Sequence, residues 1–564
     1  MKNTTWFRKL YQGIPYNVLR KHPIAYFCAE YAFTDTLRVF AGGLGVLAGD
    51  FIQEAADQKI PFIAIGIYYS QGYSWKKVAS DGKIKESIRT ISAKEASLKP
   101  VVSENGKRIY ITVPIQDRVI TIQAWQLQVG SVPVYFLDTN TPENSTSDQQ
   151  ITAQLYVADS ETRLLQEIVL GIGGRRLIEY LGITPAIYHM NEGHAALLAL
   201  DLLYNEMKKN GLTFAAAKAV VKKQVIFTNH TLVVAGTDLF TDEQITSQLG
   251  TYAATESDIA IQEIISLGKD TVTNKFSMTE LAFSLAGKVS AVSKLHAKSA
   301  QNIWKQHPMI PITNGIYIKR WDTITRSAPL WECHQINKRN LLLEIQKQTG
   351  QVWKEDELLI GWARRMVAYK RPLAIFEDMK RFLQISKKAG KPVHIVFAGE
   401  AHANDKVGLS LIQSLREKIS NELAGTVVYL SDYNLHLARL LTSGCDIWLN
   451  TPIVGLEACG TSGMKAALNG VLPATTKDGW FNEINIPENG WLIDTNSVAR
   501  SLLDTLETRI IPLYYESSTN DTMRTWERTM VQARSLIIDD FSTTRMLREY
   551  LQKLYIPLIN EGSL

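Results

Sequence analysis

Short apolar runs alternate with polar, glycine-bearing turns along most of this chain. Ile24 to Cys28 and Pro61 to Tyr69 read as buried strands, and the loop Phe40 to Asp50 with an alanine-containing helix to Gln58 lies between them. That order, strand, glycine loop, helix, strand, predicts a parallel sheet. Residues 74–138 change period. Arg108 to Val113, Val119 to Trp125 and Val132 to Leu137 alternate apolar and polar positions, with Asn105-Gly106 as a turn signal, which predicts a small antiparallel β insertion. Asp159 to Tyr180 reads as a helix broken by Gly171, Gly173 and Gly174. Strand-then-loop units return at Ala186 to His194, Val225 to Thr231 and Lys288 to His296.

Ile310 to Gly315 is rich in proline and glycine and reads as a joint. A second strand–helix pattern follows, with strands at Leu358 to Trp362, Val393 to Phe397, Thr426 to Leu430 and Ile447 to Leu449. The tail Met546 to Leu558 has the spacing of an amphipathic helix that packs back on the first unit. The expected fold is α/β: two facing Rossmann-like domains with a deep cleft between them. Residues 1–315 form the first, with the β insertion at about 74–138. Residues 316–535 form the second, and 536–564 the returning helix.

Composition narrows the classes. The chain has 564 residues, 45% hydrophobic and 21% charged, with a net charge of +5 and no basic tract interleaved with aromatics; nucleic acid is not an expected partner. Four scattered cysteines, Cys28, Cys333, Cys445 and Cys459, lack metal-ligand or disulfide spacing, so no metal is expected and a reducing compartment fits. Residues 1–23 lack the apolar core of a signal peptide, and no apolar run approaches the ~18 residues of a membrane span. A cytoplasmic protein with no membrane partner is the expectation.

Candidate chemistry concentrates in a few loops. Glu457 to Gly470 follows the strand-like Asp446 to Asn450 and opens an apolar segment, the arrangement of a turn that presents free amides to an anion. Lys465 lies about one turn inside, among Met, Ala and Leu; a solvated lysine is the plain alternative. Arg364, Arg365, Lys370 and Arg371 place four cations within eight residues after a strand, which suits phosphate. His194 and His230 end strands, although each also reads as an ordinary loop or core histidine. Glu457 and Lys465 are separated by seven residues. Many retaining glycosyltransferases carry two glutamates at that spacing. A lysine in the second position favours a site that needs an amine, such as an imine to an aldehyde cofactor.

The motifs Gly42 to Gly45, Asn191 to His194, Thr228 to Thr231, Thr313 to Gly315, Arg365 to Lys370 and Glu457 to Lys465 occur in an order that resembles the α-glucan (glycogen, maltodextrin) phosphorylases, specifically the short bacterial and archaeal branch. The resemblance runs from about Ile24 to the last helix. It implies the GT-B type of fold and phosphorolysis of the terminal α-1,4 bond of a glucan by inorganic phosphate, giving α-glucose 1-phosphate with retention. It implies pyridoxal 5'-phosphate held on Lys465 as a Schiff base, with Gly43, Trp321, Arg364, Tyr433, Gly460 and Thr461 around it. Arg365 and Lys370 would bind substrate phosphate. His230, Asn314, Tyr369 and Glu457 would grip the terminal glucose, with Leu44, Glu192, His194 and Cys459 nearby, and a homodimer is the family's common state. Cys459 stands where the family usually has Ser, and Glu400 where it typically has Lys; Glu400 is expected to point outward. A nucleotide-sugar-dependent retaining glucosyltransferase, or an inactive glucan-binding homologue, would share the fold; Lys465 argues against the first and the intact cationic motif against the second.

Overall fold

The computed structural model describes the chain outside residues 1–4, 12–13, 74, 79–83, 88–89, 233–237, 258, 326, 389, 402–404, 516–519 and 562–564. Two parallel sheets dominate. In the first, Ile310–Pro311, Lys288–Ala291, Val225–Asn229, Ile187–Asn191, Ile24–Phe27, Phe62–Ile67 and Val132–Asp138 lie side by side, all parallel. These strands are nearly all buried, because helices cover both faces of such a sheet and leave no polar side for water.

The β insertion is corrected by this topology. Val132–Asp138 belongs to the main sheet, parallel to Phe62–Ile67. Arg118–Val129 then pairs antiparallel with it and with Tyr110–Ile115 and Lys99–Pro100, so these strands widen the sheet to ten. Alternation did not separate Val132–Asp138, which is almost wholly buried, from the strands with one face open. A second short hairpin, Trp75–Val78 with Ile84–Ser87, stands apart, and part of the expected insertion lies outside the described residues.

The glycines at 171–174 do not break their helix. Ser160–Ile168 passes through a π-helical turn, Val169–Gly173, straight into Gly174–Tyr180. Close packing is the reason for glycine there. A Cβ on Gly171 would lie 2.7 Å from the Leu198 amide nitrogen, and one on Gly174 would lie 2.7 Å from the Phe27 ring.

The second sheet has six parallel strands in the order Val427–Leu430, Val393–Ala398, Leu358–Ala363, Ile447–Asn450, Leu472–Thr475 and Trp491–Leu492. The two-residue period of a strand splits Leu358–Ala363 between two cores: Leu358, Ile360 and Trp362 face one, Leu359 and Ala363 the other. Behind this sheet the helix Leu330–Thr349 is held by a fully buried charge cluster. The Lys338 ammonium donates to Asp446 Oδ2 at 2.6 Å, to the Glu357 carbonyl at 2.6 Å and to the Tyr514 hydroxyl at 2.8 Å, and His334 Nε2 lies 3.0 Å from Asp446 Oδ1. Burial opposes ionisation of Asp446, but Lys338 and His334 together outweigh it and hold the carboxyl below the usual range.

The chain returns to the first sheet at its end. Thr543–Tyr550 and Ile556–Glu561, joined by a π-helical turn, bury Met546, Leu547, Tyr550, Leu554 and Tyr555 in the first core. There the Tyr555 hydroxyl meets His189 Nδ1 at 2.7 Å, and His189 Nε2 meets Thr228 Oγ1 at 2.7 Å.

Breaking one partner of a buried ion cluster strands the others. Lys338→Met is expected to lower unfolding free energy by about 3–5 kcal/mol, measured by urea denaturation, with far-UV circular dichroism checking that the fold survives.

Candidate active site

A parallel sheet buried on both faces delivers polar side chains only where its strands end. The candidate residues lie there. Leu358–Ala363 ends in Arg364, whose guanidinium reaches Glu457 Oε2 at 3.2 Å and Ser462 Oγ at 3.3 Å. Lys370 Nζ lies 3.4 Å from the same carboxylate oxygen. One carboxylate therefore serves two cations, Arg364 buried and Lys370 half-buried. Burial opposes ionisation of Glu457, but Lys370 and Arg364 outweigh it and hold the carboxyl below its ordinary value. Burial, offset in part by Glu457, lowers the Lys370 amine to about 8. Arg364 Nε is buried with no acceptor among the described residues.

Arg365, the next residue, is exposed, and its charge acts on Tyr73, Tyr369 and Lys370. Tyr369 is half-buried; its carbonyl accepts from the Ile453 amide at 2.8 Å. Burial raises the Tyr433 hydroxyl to about 12, with Arg364 opposing. The Glu457 amide donates to Asp478 Oδ2 at 3.0 Å, which fixes the loop that carries it.

The loop then turns through Gly460, at φ +81°, into the helix Ser462–Leu468. Lys465 is 7% exposed, with Nζ 4.1 Å from the centre of the Trp321 ring. Among the described residues its amine makes no ion pair or hydrogen bond. Burial lowers it to about 8, with Asp50 opposing and Arg320 adding to the fall. Thr461 precedes this helix but makes no side-chain cap bond.

The first sheet contributes a second group. Glu192 follows the strand Ile187–Asn191 in the left-handed region at φ +77°, a strained position for a non-glycine residue. Its buried carboxylate accepts from the amides of Gly193 at 3.2 Å and His230 at 2.9 Å, and from the Thr231 hydroxyl at 3.2 Å. Burial lifts this carboxyl to about 7. His230 Nε2 lies 2.6 Å from Asn191 Oδ1, and burial lowers its imidazole to about 3, so it is neutral at ordinary pH. His194 Nε2 stands 3.4 Å from Asp238 Oδ2, with Nδ1 buried and unbonded. Asn314 is buried, its Oδ1 unbonded among the described residues.

The glycine loop is set by Glu30, whose Oε2 accepts from the amides of Ala41 at 2.7 Å and Gly42 at 3.2 Å. A Cβ on Gly43 would meet nothing within 4 Å, so its neighbourhood is open; Leu44 beside it is half-buried. Cys459 is buried, and burial raises its thiol far above the usual value; the backbone of Asn314 bonds it. The Glu400 carbonyl accepts from the Met366 amide at 2.9 Å, and its charge acts on Arg38, Tyr73 and Tyr429.

Ser462 bonds Arg364, so the Glu457 group and Lys465 share one helix. The loop between Glu457 and Lys465 meets the first sheet's residues directly: the backbone of Asn314 bonds Cys459, and the Ser293 hydroxyl donates to the Ala458 carbonyl at 2.6 Å. The residues that orient the candidates, Asn191, Glu30, Asp50 and Asp478, are assigned no role in the motif reading. Asn191 alone stood inside a quoted motif; nothing local marked the others.

These features define a class: an α/β protein of two parallel sheets with buried cations at strand ends and an unpaired lysine on an adjoining helix. A carbohydrate phosphorylase profile matches residues 323–489. The chain is 35% identical to the maltodextrin phosphorylase of Thermococcus litoralis, over 98% of this chain and 72% of that protein. It is 33% identical to the glycogen phosphorylase of Aquifex aeolicus, over 96% and 87%, and 31% identical to the glycogen phosphorylase of Mycobacterium tuberculosis, over 95% and 71%. The chain belongs to the carbohydrate phosphorylase family.

Both lysines have folded values below the ordinary lysine value of 10.5. The unfolded chain then binds more protons between about pH 8 and about pH 10.5, so these groups make stability rise with pH across that window. Without added anions, the urea midpoint is expected to show that rise, and Lys465→Met to flatten it.

Proposed function

We propose that this chain is a pyridoxal-phosphate-dependent α-glucan phosphorylase: inorganic phosphate cleaves the terminal α-1,4 bond of a maltodextrin or glycogen chain and α-glucose 1-phosphate leaves with retention. The observation that carries the reading is Lys465, a buried amine with no ion pair or hydrogen bond among the described residues, on the helix whose Ser462 bonds the buried Arg364. A lysine brought to about 8 by burial keeps a usable neutral fraction near pH 7, which reaction with an aldehyde requires.

The residues fit pyridoxal phosphate. Lys465 offers the amine, Trp321 a flat aromatic face beneath it, and Arg364 a buried Nε with no acceptor. Gly43, Tyr433, Gly460 and Thr461 would complete the surround. When bound, the cofactor supplies a phosphate that can relay a proton to the attacking phosphate.

The remaining steps belong to the chain. Arg365 and Lys370 hold substrate phosphate; in its absence Lys370 leans on Glu457. Desolvated, fixed cations beside a transferring group stabilise the charge that builds there. Glu457, Asn314 and Tyr369 take the hydroxyls of the terminal glucose, with Leu44, His194 and Cys459 nearby. The neutral His230 imidazole donates or accepts without adding a positive charge where one develops on the sugar. Its backbone carbonyl would face that charge, and Glu192 and Asn191 hold the residue through its amide and its ring. This reading puts 1–315 and 316–535 as two domains of the GT-B type across a cleft, with 536–564 returning to the first. A homodimer in the cytoplasm completes it. No helix among the described residues is long and apolar enough to cross a membrane, and all four cysteines are free.

Incubation with maltodextrin and phosphate is expected to release glucose 1-phosphate, and Lys465→Ala to release none above background. Arg365→Ala is expected to lower kcat/KM by about 100-fold or more. An active Lys465→Ala would sink the reading.

A further inference from the structure

Asp50 lies on the helix Gly43–Gln58, 1% exposed, and its carboxylate is fully subscribed. Oδ2 accepts from the Trp321 indole at 2.8 Å and from the Tyr317 amide at 3.1 Å, and Oδ1 from the Arg320 guanidinium at 2.8 Å. Arg320 also donates to the carbonyls of Ala32 at 2.6 Å and Phe33 at 2.7 Å. One buried carboxylate thus ties the helix after the glycine loop to the segment Ile318–Trp321. The other face of that segment holds the helix of Lys465: Asn469 Nδ2 donates to the carbonyls of Trp321 and Lys465, each at 2.9 Å.

An indole bound through its N–H cannot slide or turn over. The Trp321 ring is therefore a fixed plane, and the Lys465 amine sits 4.1 Å from its centre. A cation over an aromatic face is attracted most strongly by tryptophan, so this plane favours one position for the amine. We propose that Asp50 is a positioning residue for Lys465: through the indole of Trp321 it fixes where the amine lies.

This rests on the reading of Lys465 as the reacting amine. The other charged groups around the helix of Lys465 are already engaged. Arg320 is paired with Asp50, Arg364 with Glu457, and Arg534 with Asp322 while it bonds the Leu468 carbonyl. Asp50 is the carboxylate that raises the amine, against burial and Arg320. The arrangement has a chemical use. Attack on an aldehyde needs a neutral amine aimed at the carbonyl carbon. A fixed ring supplies the aim, and a compensating carboxylate keeps burial from driving the amine's affinity for protons so low that a protonated form is never available.

The test is the reactivity of Lys465 in the full-length protein, freed of bound aldehyde, toward formaldehyde and a borohydride reductant. Modification is quantified by peptide mass spectrometry against pH, with the exposed Lys347 as internal reference. For Asp50→Asn the midpoint of the Lys465 curve is expected to move to lower pH, with labelling near neutrality at least about threefold faster, while the Lys347 curve stays put. Trp321→Phe keeps a ring but lacks the N–H and leaves the Asp50–Arg320 pair intact. It is expected to move the midpoint the same way, and it decides the matter if Asp50→Asn does not fold. Unchanged Lys465 curves in folded variants would overturn the proposal. Pyridoxal phosphate uptake by the wild-type protein, followed by absorbance, is a separate arm. No uptake would defeat the proposed function, while the labelling curves still judge Asp50.

Discussion

Two cations, one buried and one half-buried, sharing one carboxylate is the constraint on which the site turns. Arg364 and Lys370 both lean on Glu457 Oε2, and burial makes every unbalanced charge in that place costly. The cluster holds more positive charge than its own acid neutralises, since Arg365 also acts on Lys370. Such a site is stable in two ways: by lowering the affinity of its lysines for protons, or by admitting an anion. The first is visible in both lysines, each brought to about 8. The second is what a phosphate substrate would supply. Glu457 then has a double part. It holds both cations in position, and under the proposed function it would accept from sugar hydroxyls when a phosphate pairs with the cations.

The fold was legible in the sequence where burial was complete. Runs such as Phe62–Ile67 and Leu358–Ala363 are apolar throughout because helices cover both faces, and nothing but a parallel sheet explains them. The chain was misread where burial was one-sided or packing was tight. Alternation in Arg118–Val129 described its own two faces correctly but carried no information about which strand lay beside it. The glycines at 171–174 look like helix breakers because intrinsic propensity disfavours them; the close approach of Leu198, Ile122 and Phe27 is a tertiary fact that overrides propensity.

Site residues divide in the same way. Those that act by charge or by reactive type stood out, since a buried lysine after a glycine turn or four cations after a strand are local patterns. Those that orient them did not. Asn191 holds His230 from 39 residues away, Asp50 holds Trp321 from 271 away and Glu30 holds the glycine loop from 11 away. None has a side chain unusual in itself. Their meaning comes from strands that are adjacent in space and distant in sequence, which a single chain read in order does not display.

Cys459 shows how a departure from a family pattern is judged once the geometry is known. Its carbonyl accepts from the Trp480 amide at 3.2 Å, and a Cβ on Gly479 would strike that carbonyl at 2.3 Å. The neighbouring Ala458 carbonyl takes the Ser293 hydroxyl at 2.6 Å. The position is thus defined by its backbone, wedged between a turn of the second unit and the start of a helix of the first. The thiol lies buried against Asn314, where desolvation keeps it protonated. A serine there would bring a hydroxyl that burial obliges to find a partner. Cysteine, a weak donor that packs like a small apolar group, fills the same space without that demand. Cys459 leaves intact the loop geometry that delivers Glu457 on one side and Lys465 on the other.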